Sequence, residues 1–367
     1  MLGFSSVEPK VTQSNTPNVT WQHIWHLSET RDAFSGSSFV AIPNEILLRI
    51  FRFLSKMNTT LFIELEILIK NSTAPTNESW FIPFDLIITV TATFAIILAL
   101  FFLFIIVIDK TCHTVPMILV ANSCLSGLIL ACTTLSTSIF TLENDFKQVQ
   151  YEDSLCAFRS YLGYVSSAVF NFSFLLQTLY RYVIVVYPTR LFWQSVRFQS
   201  LLICLTWFFA ILCPILFIIK NEIIYDVDGQ ICHIPYRLSF SIIYGALINY
   251  IIPISITMLF YLKLVRHVYG MSKRITPANR LVRAQNELKM VQRIVTLIII
   301  LITLGVPFVV FITMSLFTNP PKYHTRIGYV FFNVSLALVM ITLFQFTDPL
   351  KATAKKLINI RPNNITS

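Results

Sequence analysis

CAFRSYLGYVSSAVFNFSFLLQTLYRY, residues 156–182, decides how this chain folds. Between Arg159 and Arg181 it carries no charged side chain; Cys156 opens the stretch and Arg181 stands near its close. About 20 apolar residues in a helix cross the hydrocarbon core of a bilayer. A helix also satisfies its own backbone, which lipid cannot do. The stretch therefore reads as one membrane-crossing rod with a Cys at one end and an Arg at the other.

Six further stretches of the same kind surround it. Together the seven read as 84–108, 115–140, 154–183, 199–219, 238–265, 291–317 and 326–350. An odd number of crossings places the two ends of the membrane domain on opposite sides. The composition agrees: 55% of residues are hydrophobic, 13% are charged, and the mean hydropathy is +0.68. These are membrane values, and they exclude most soluble enzymes. The predicted fold is all-α, a bundle of seven transmembrane helices with a short C-terminal interfacial helix.

The net charge of +10 invites a nucleic-acid reading, which the placement of the charge rejects. Beyond residue 80, 16 Lys and Arg fall on the side of the loops near 110, 190 and 275 and of the C-terminus, against 6 on the other. The positive-inside rule puts the richer side in the cytosol. The opposite loops carry Glu143, Asp145, Glu152, Asp153, Glu222, Asp226 and Asp228. The chain is thus predicted to be a multi-pass plasma-membrane protein with its N-terminus outside and its C-terminus in the cytosol.

Residues 1–80 form an N-terminal tail before the membrane domain 81–352, and 353–367 form a cytosolic tail. Asn58, Asn71 and Asn77 each begin an acceptor triplet for N-glycosylation, as does Asn18. Ile46, Leu47, Ile50, Phe51, Phe53 and Leu54 give an apolar helical face after Pro43. That segment resembles the opening of an F-box, a cytosolic adaptor motif, which clashes with a glycosylated exterior. Residues 1–56 are accordingly expected to be foreign to the working protein, which would start at Met57.

Spacing narrows the class of membrane protein. Arg181 stands in Tyr180-Arg181-Tyr182 with Pro188 two helical turns beyond it, and Trp207 is central in the fourth helix. Cys232 lies in the second outer loop. Pro253 precedes Tyr261 in the fifth helix, Pro307 lies in the sixth, and the seventh ends in Asp348-Pro349. Taken in order, this set resembles the rhodopsin-like family of G-protein-coupled receptors from the first helix to the C-terminus. The intervals from Cys156 to Arg181, Arg181 to Pro188 and Pro253 to Tyr261 match the family's. Four positions depart from the family pattern. Tyr180 replaces the acid before the Arg, Gly127 replaces the sodium-binding Asp, and Gly305 replaces a Trp before Pro307. After Asp348-Pro349 the usual Tyr is absent.

The resemblance implies an activation switch involving Tyr180, Arg181, Tyr261, Pro307, Asp348 and Pro349. Glu287, at the cytosolic start of the sixth helix, is expected to replace the missing acid as the resting partner of Arg181. Asp348 serves either as the carboxylate that Gly127 lacks or as a polar group at a helix kink. Cys156 and Cys232 face the oxidising side and are the expected disulfide, the alternative being two free thiols. Cys124, Cys132, Cys204 and Cys213 lie within apolar helices as packing residues, and Cys112 is on the reducing side.

The ligand is read by exclusion. Gly163 stands where amine receptors of the family carry an Asp, and Thr342 where opsins carry the retinal Lys. The acidic outer loops favour a cationic ligand, and a neuropeptide is expected. The partners implied are that peptide or another small extracellular ligand, a heterotrimeric G protein and membrane lipid, with no nucleic acid. No cofactor and no metal are expected, and the chain is not an enzyme. A chemosensory receptor of the same fold and a transporter are the alternatives. The lack of repeat halves and a nearly charge-free interior speak against the transporter.

Overall fold

A computed structural model describes residues 81–109, 113–147, 149, 151–235, 239–274, 296–297, 299–302, 305–315, 317–318, 324–347 and 353. All lie in one unit, Glu78–Ser367. Helices α1 (Phe81–Ile108), α2 (Val115–Lys147), α3 (Cys156–Val186) and α4 (Val196–Ile219) come first. A two-stranded hairpin follows, β1 (Ile224–Asp226) and β2 (Ile231–His233). Helix α5 consists of Phe240–Ala246, a π-helical turn Leu247–Ile251, and Ile252–Arg274. The shorter apolar helix α6 covers Ile299–Ser315, and α7 covers His324–Phe346. Apart from α6, each of these helices is long and apolar enough to cross a membrane, six among the described residues.

Each helix sorts its side chains by size and polarity. In α1, Leu86, Val90, Ile97 and Phe104 point outward as a lipid-facing stripe. Ala92, Ala95 and Ala99 form the buried stripe and let α2 and α7 approach closely. There Leu130, Ala131, Phe170, Phe174, Val339 and Met340 complete a dry central core. Nearer the other end of α1, Phe102 stacks on Phe344 with ring centroids 5.4 Å apart. Hydroxyl groups on α2 are tolerated in this setting because they bond back to their own helix. Ser126, Thr133 and Thr134 donate to carbonyls of the preceding turn.

Pro253 explains the π turn in α5. Proline has no N–H for the carbonyl one turn back, which belongs to Asn249. Asn171 of α3 occupies that carbonyl instead, its Nδ2 donating at 2.8 Å.

The hairpin is an element the helical reading did not anticipate. Ile224 pairs with His233, Tyr225 with Cys232 and Asp226 with Ile231. Asp226 Oδ2 accepts the Gly229 N–H at 3.2 Å and closes the turn. A Cβ at Gly229 would lie 2.6 Å from that oxygen, so the turn takes glycine there.

Candidate functional site

The membrane end that carries Cys156 is built around three elements and one bond. Cys156, at the first residue of α3, is disulfide-bonded to Cys232 of β2, with 5.6 Å between the Cα atoms. This is the pairing the sequence led us to expect. It draws β2 into the bundle, where Ile231, Cys232, His233 and Ile234 are all buried. Ser160 of α3 donates to the Cys232 carbonyl, and the Tyr164 hydroxyl accepts the Ile234 N–H at 3.2 Å.

The same end holds a buried ion cluster. Arg326, in the first turn of α7, has no exposed side-chain surface. Its Nη1 donates to Asp85 Oδ2 of α1 at 3.1 Å and to Asp145 Oδ2 of α2 at 2.5 Å. Its Nη2 donates to Asp145 Oδ1 at 3.2 Å and its Nε to the Gly229 carbonyl at 3.3 Å. Gln230 adds a donor to Asp145 Oδ1 at 2.9 Å. Asp226 accepts from Thr325 at 3.3 Å and faces His233 Nε2 at 3.5 Å, while His233 Nδ1 donates to the Ile234 carbonyl at 2.7 Å. Helices α1, α2 and α7 and the hairpin therefore meet at one guanidinium.

This corrects two sequence-based expectations. The interior is not nearly charge-free at this end, because α7 begins at His324 and carries Arg326 inside the bundle. Helix α2 runs to Lys147, so Asp145 lies on a helix and not in a loop. The acidity of this face is also largely spent. Asp145 and Asp226 are in the cluster, Asp153 pairs with Arg159 at 2.9 Å, and Glu143 pairs with Lys147. Burial alone would raise the Asp226 carboxyl, but hydrogen bonds from His233, Gly229 and Thr325 outweigh it and hold it below its ordinary value of 3.8. Burial raises the Tyr225 phenol, with Glu152 adding to it.

The middle of the bundle is different in kind. A Cβ at Gly127 would collide with Met340 Cε and lie 3.1 Å from Phe170. Apolar side chains fill the place where the family keeps a carboxylate and its ion. Gly305 is filled in the same way: a Cβ there would collide with the Tyr250 hydroxyl, which donates to the Leu301 carbonyl at 2.7 Å. Tyr250 of α5 thus supplies an aromatic ring beside the position that lacks its Trp. Thr342 bonds to the Leu338 carbonyl, and no atom lies within 4 Å of a Cβ at Gly163. Neutral amides and hydroxyls supply the polarity here. Thr134 donates to Asn333 at 2.8 Å, and Trp207 Nε1 donates to Asn122 at 2.9 Å.

At the opposite end, Arg181 lines a cavity of about 120 Å³ with Pro116, Leu119, Val120, Gln177, Tyr180 and Ile184. Tyr180 packs against Leu119 and Leu176, so the residue in the acid's place is a packing residue. Gln177, one turn before Arg181, donates to Ser123 at 2.7 Å, and Ser123 is 2.7 Å from Ser173. Tyr261 packs with Leu264 and Tyr182 between α5 and α3, and Pro307 lies within α6. Glu287, Asp348, Pro349, Asn58, Asn71, Asn77, the F-box-like stretch and, apart from Thr353, the C-terminal interfacial helix lie outside the described residues. Among the described residues, no group of His, Cys, Asp and Glu could hold a metal ion.

Sequence reading passed over Asp85, Gln230, His233, Tyr250 and Asn171. Asp85 gave a signal, as the one charged residue in α1. An isolated acid in a membrane helix asks for a partner.

A family model described as 7 transmembrane receptor (rhodopsin family) matches residues 86–349. No curated protein matches the chain.

Proposed function

The chain belongs to the rhodopsin family of seven-transmembrane receptors, a family of receptors and not of enzymes, and on that premise we propose that it binds an extracellular neuropeptide and activates a heterotrimeric G protein. The observation that carries the reading is the pairing of two devices on one rod. Helix α3 is tethered at Cys156 to a hairpin laid over the bundle, and it presents Arg181 near its other end. The disulfide end faces outward in this reading and the Arg181 end faces the cytosol, as the distribution of Lys and Arg supports. Asn58, Asn71 and Asn77 are then glycosylation sites on the outer side.

A cationic group on the ligand suits the acids the cluster leaves over. Glu152 lies near Tyr225, and Glu222 keeps a buried carboxylate oxygen without a hydrogen-bond partner among the described residues. The Tyr225 hydroxyl is likewise without one. Together they offer charge and hydrogen bonding to a peptide amine or guanidinium beside the hairpin.

At the cytosolic end, Glu287 pairs with Arg181 and holds α3 to α6 at rest. Such a charge-assisted pair is worth about 1–3 kcal/mol, a shift of roughly 5- to 150-fold in a two-state population. Glu287→Ala should raise ligand-independent signalling, and unchanged basal activity in a well-expressed variant would refute the pair. The ligand reading is tested by a second-messenger screen of cells expressing the chain against a peptide library. A response that Glu222→Gln weakens supports it. A response to neutral odorant-like molecules, with none to any peptide, would replace it with the chemosensory reading.

A further inference from the structure

Among the described residues the ion cluster holds more acid than base. Asp85 is 1% exposed, Asp145 7% and Arg326 0%, so two carboxylates share one buried guanidinium. Both carboxyls accept from the same nitrogen, Arg326 Nη1 lying 3.1 Å from Asp85 Oδ2 and 2.5 Å from Asp145 Oδ2. Asp226 adds a further acid beside the cluster, where it faces His233 Nε2, and His233 Nδ1 donates to the Ile234 carbonyl. Tyr225 and Glu152 bring no cation. Two like charges at this separation in a water-poor site do not both persist.

We infer that Asp85 and Asp145 share one bound proton, and that this proton keeps the hairpin latched to α1, α2 and α7. The hydrogen bonds assign it. Asp145 accepts three N–H donors, two from Arg326 and one from Gln230, which is the setting of an ionised carboxylate. Among the described residues the Asp85 carboxyl accepts one N–H, from Arg326. Asp85 is therefore the protonated member, donating to Asp145. The proton comes from the bulk solution and returns to it, with no other bond made or broken. With it the cluster is neutral. Without it a net negative charge is buried under the hairpin, and Arg326, which also holds the Gly229 carbonyl, is contested by two full carboxylates.

The inference goes beyond the ligand reading and stands whatever the ligand is. Its test is the thermal unfolding midpoint of the full chain in lipid nanodiscs between about pH 5 and 8, at fixed sodium. The folded state binds a proton the unfolded state releases, so the midpoint should fall as pH rises. The slope should approach that of one proton, up to tenfold in the latched-to-unlatched ratio per pH unit. Asp85→Asn keeps the size and the hydrogen bond to Asp145 and should flatten the slope. His233→Asn should leave it, which separates the carboxyl pair from the imidazole beside the hairpin. A slope that persists in Asp85→Asn, or that vanishes in His233→Asn, overturns the inference, as does an equal shift produced by sodium at fixed pH. Should Asp85→Asn not fold, the unaltered protein answers by infrared spectroscopy. A protonated-carboxyl stretch at neutral pH that disappears in alkali is expected, and the absence of that band at neutral pH is contradictory.

Discussion

The two ends of α3 are held by opposite chemistries. Around Cys156 the structure is covalent and ionic: a disulfide, a hairpin, and a guanidinium ringed by Asp85, Asp145 and the Gly229 carbonyl. Among the described residues, the middle of the bundle relies on apolar packing and neutral hydrogen bonds, with Met340 and Phe170 closing over Gly127 and Gln177 bonded to Ser123, while beyond it Asp109 accepts from Thr353. Among the described residues, Asp85 and Arg326 are the only charged side chains in the fully buried set. Buried ion pairs fix one arrangement, because breaking one strands a charge. Neutral contacts between apolar helices cost less to rearrange. The contrast suits a bundle that is preorganised at its disulfide end and more easily rearranged in its middle.

The contrast can be broken most severely at Arg326. Arg326→Met should strand two buried acids and cost about 3–5 kcal/mol, read as loss of folded protein at the cell surface. An unaffected variant would mean the cluster is dispensable. The middle should respond to volume, not charge. Gly127→Asp, which restores the family residue, should destabilise by about 1–3 kcal/mol through overpacking against Met340. Combining it with Met340→Ala should recover much of that loss in a thermal melt. Asn171→Ala removes the donor to the carbonyl that Pro253 leaves free, and should cost about 1 kcal/mol. The smallest effect is at Asp226. Its carboxyl is held below 3.8, so its share of hairpin docking is complete above that pH and is lost as pH falls through the lower folded value. The melting difference between Asp226→Asn and the unaltered chain should therefore hold at about pH 5 and shrink only in stronger acid.

The membrane helices were legible because hydrophobic length is a one-dimensional signal. Cys156, Arg181, Pro253 and Pro307 could be placed by spacing along the chain. The hairpin was harder. Asp228-Gly229 is a turn signal, but the strands it joins are three residues each and no hydropathy pattern marks them. Arg326 was misread because a cation near a helix start counts the same whether it faces water or a carboxylate. Only the meeting of α1, α2 and α7 shows that Asp85 and Asp145 stand opposite it. Tyr250 shows the same limit from the other side. Gly305 reads as a missing ring in sequence, and the neighbouring helix supplies one in space.

The account stands most directly on which end of α3 faces out. An epitope inserted after Asp228, in the exposed part of the hairpin turn, and a second after Ser367 can be stained on intact and permeabilised cells expressing the full chain. The hairpin epitope should stain on intact cells and the C-terminal epitope only after permeabilisation. The reverse pattern, or both epitopes on one side, would contradict a receptor with its disulfide end outside and Arg181 within reach of a G protein.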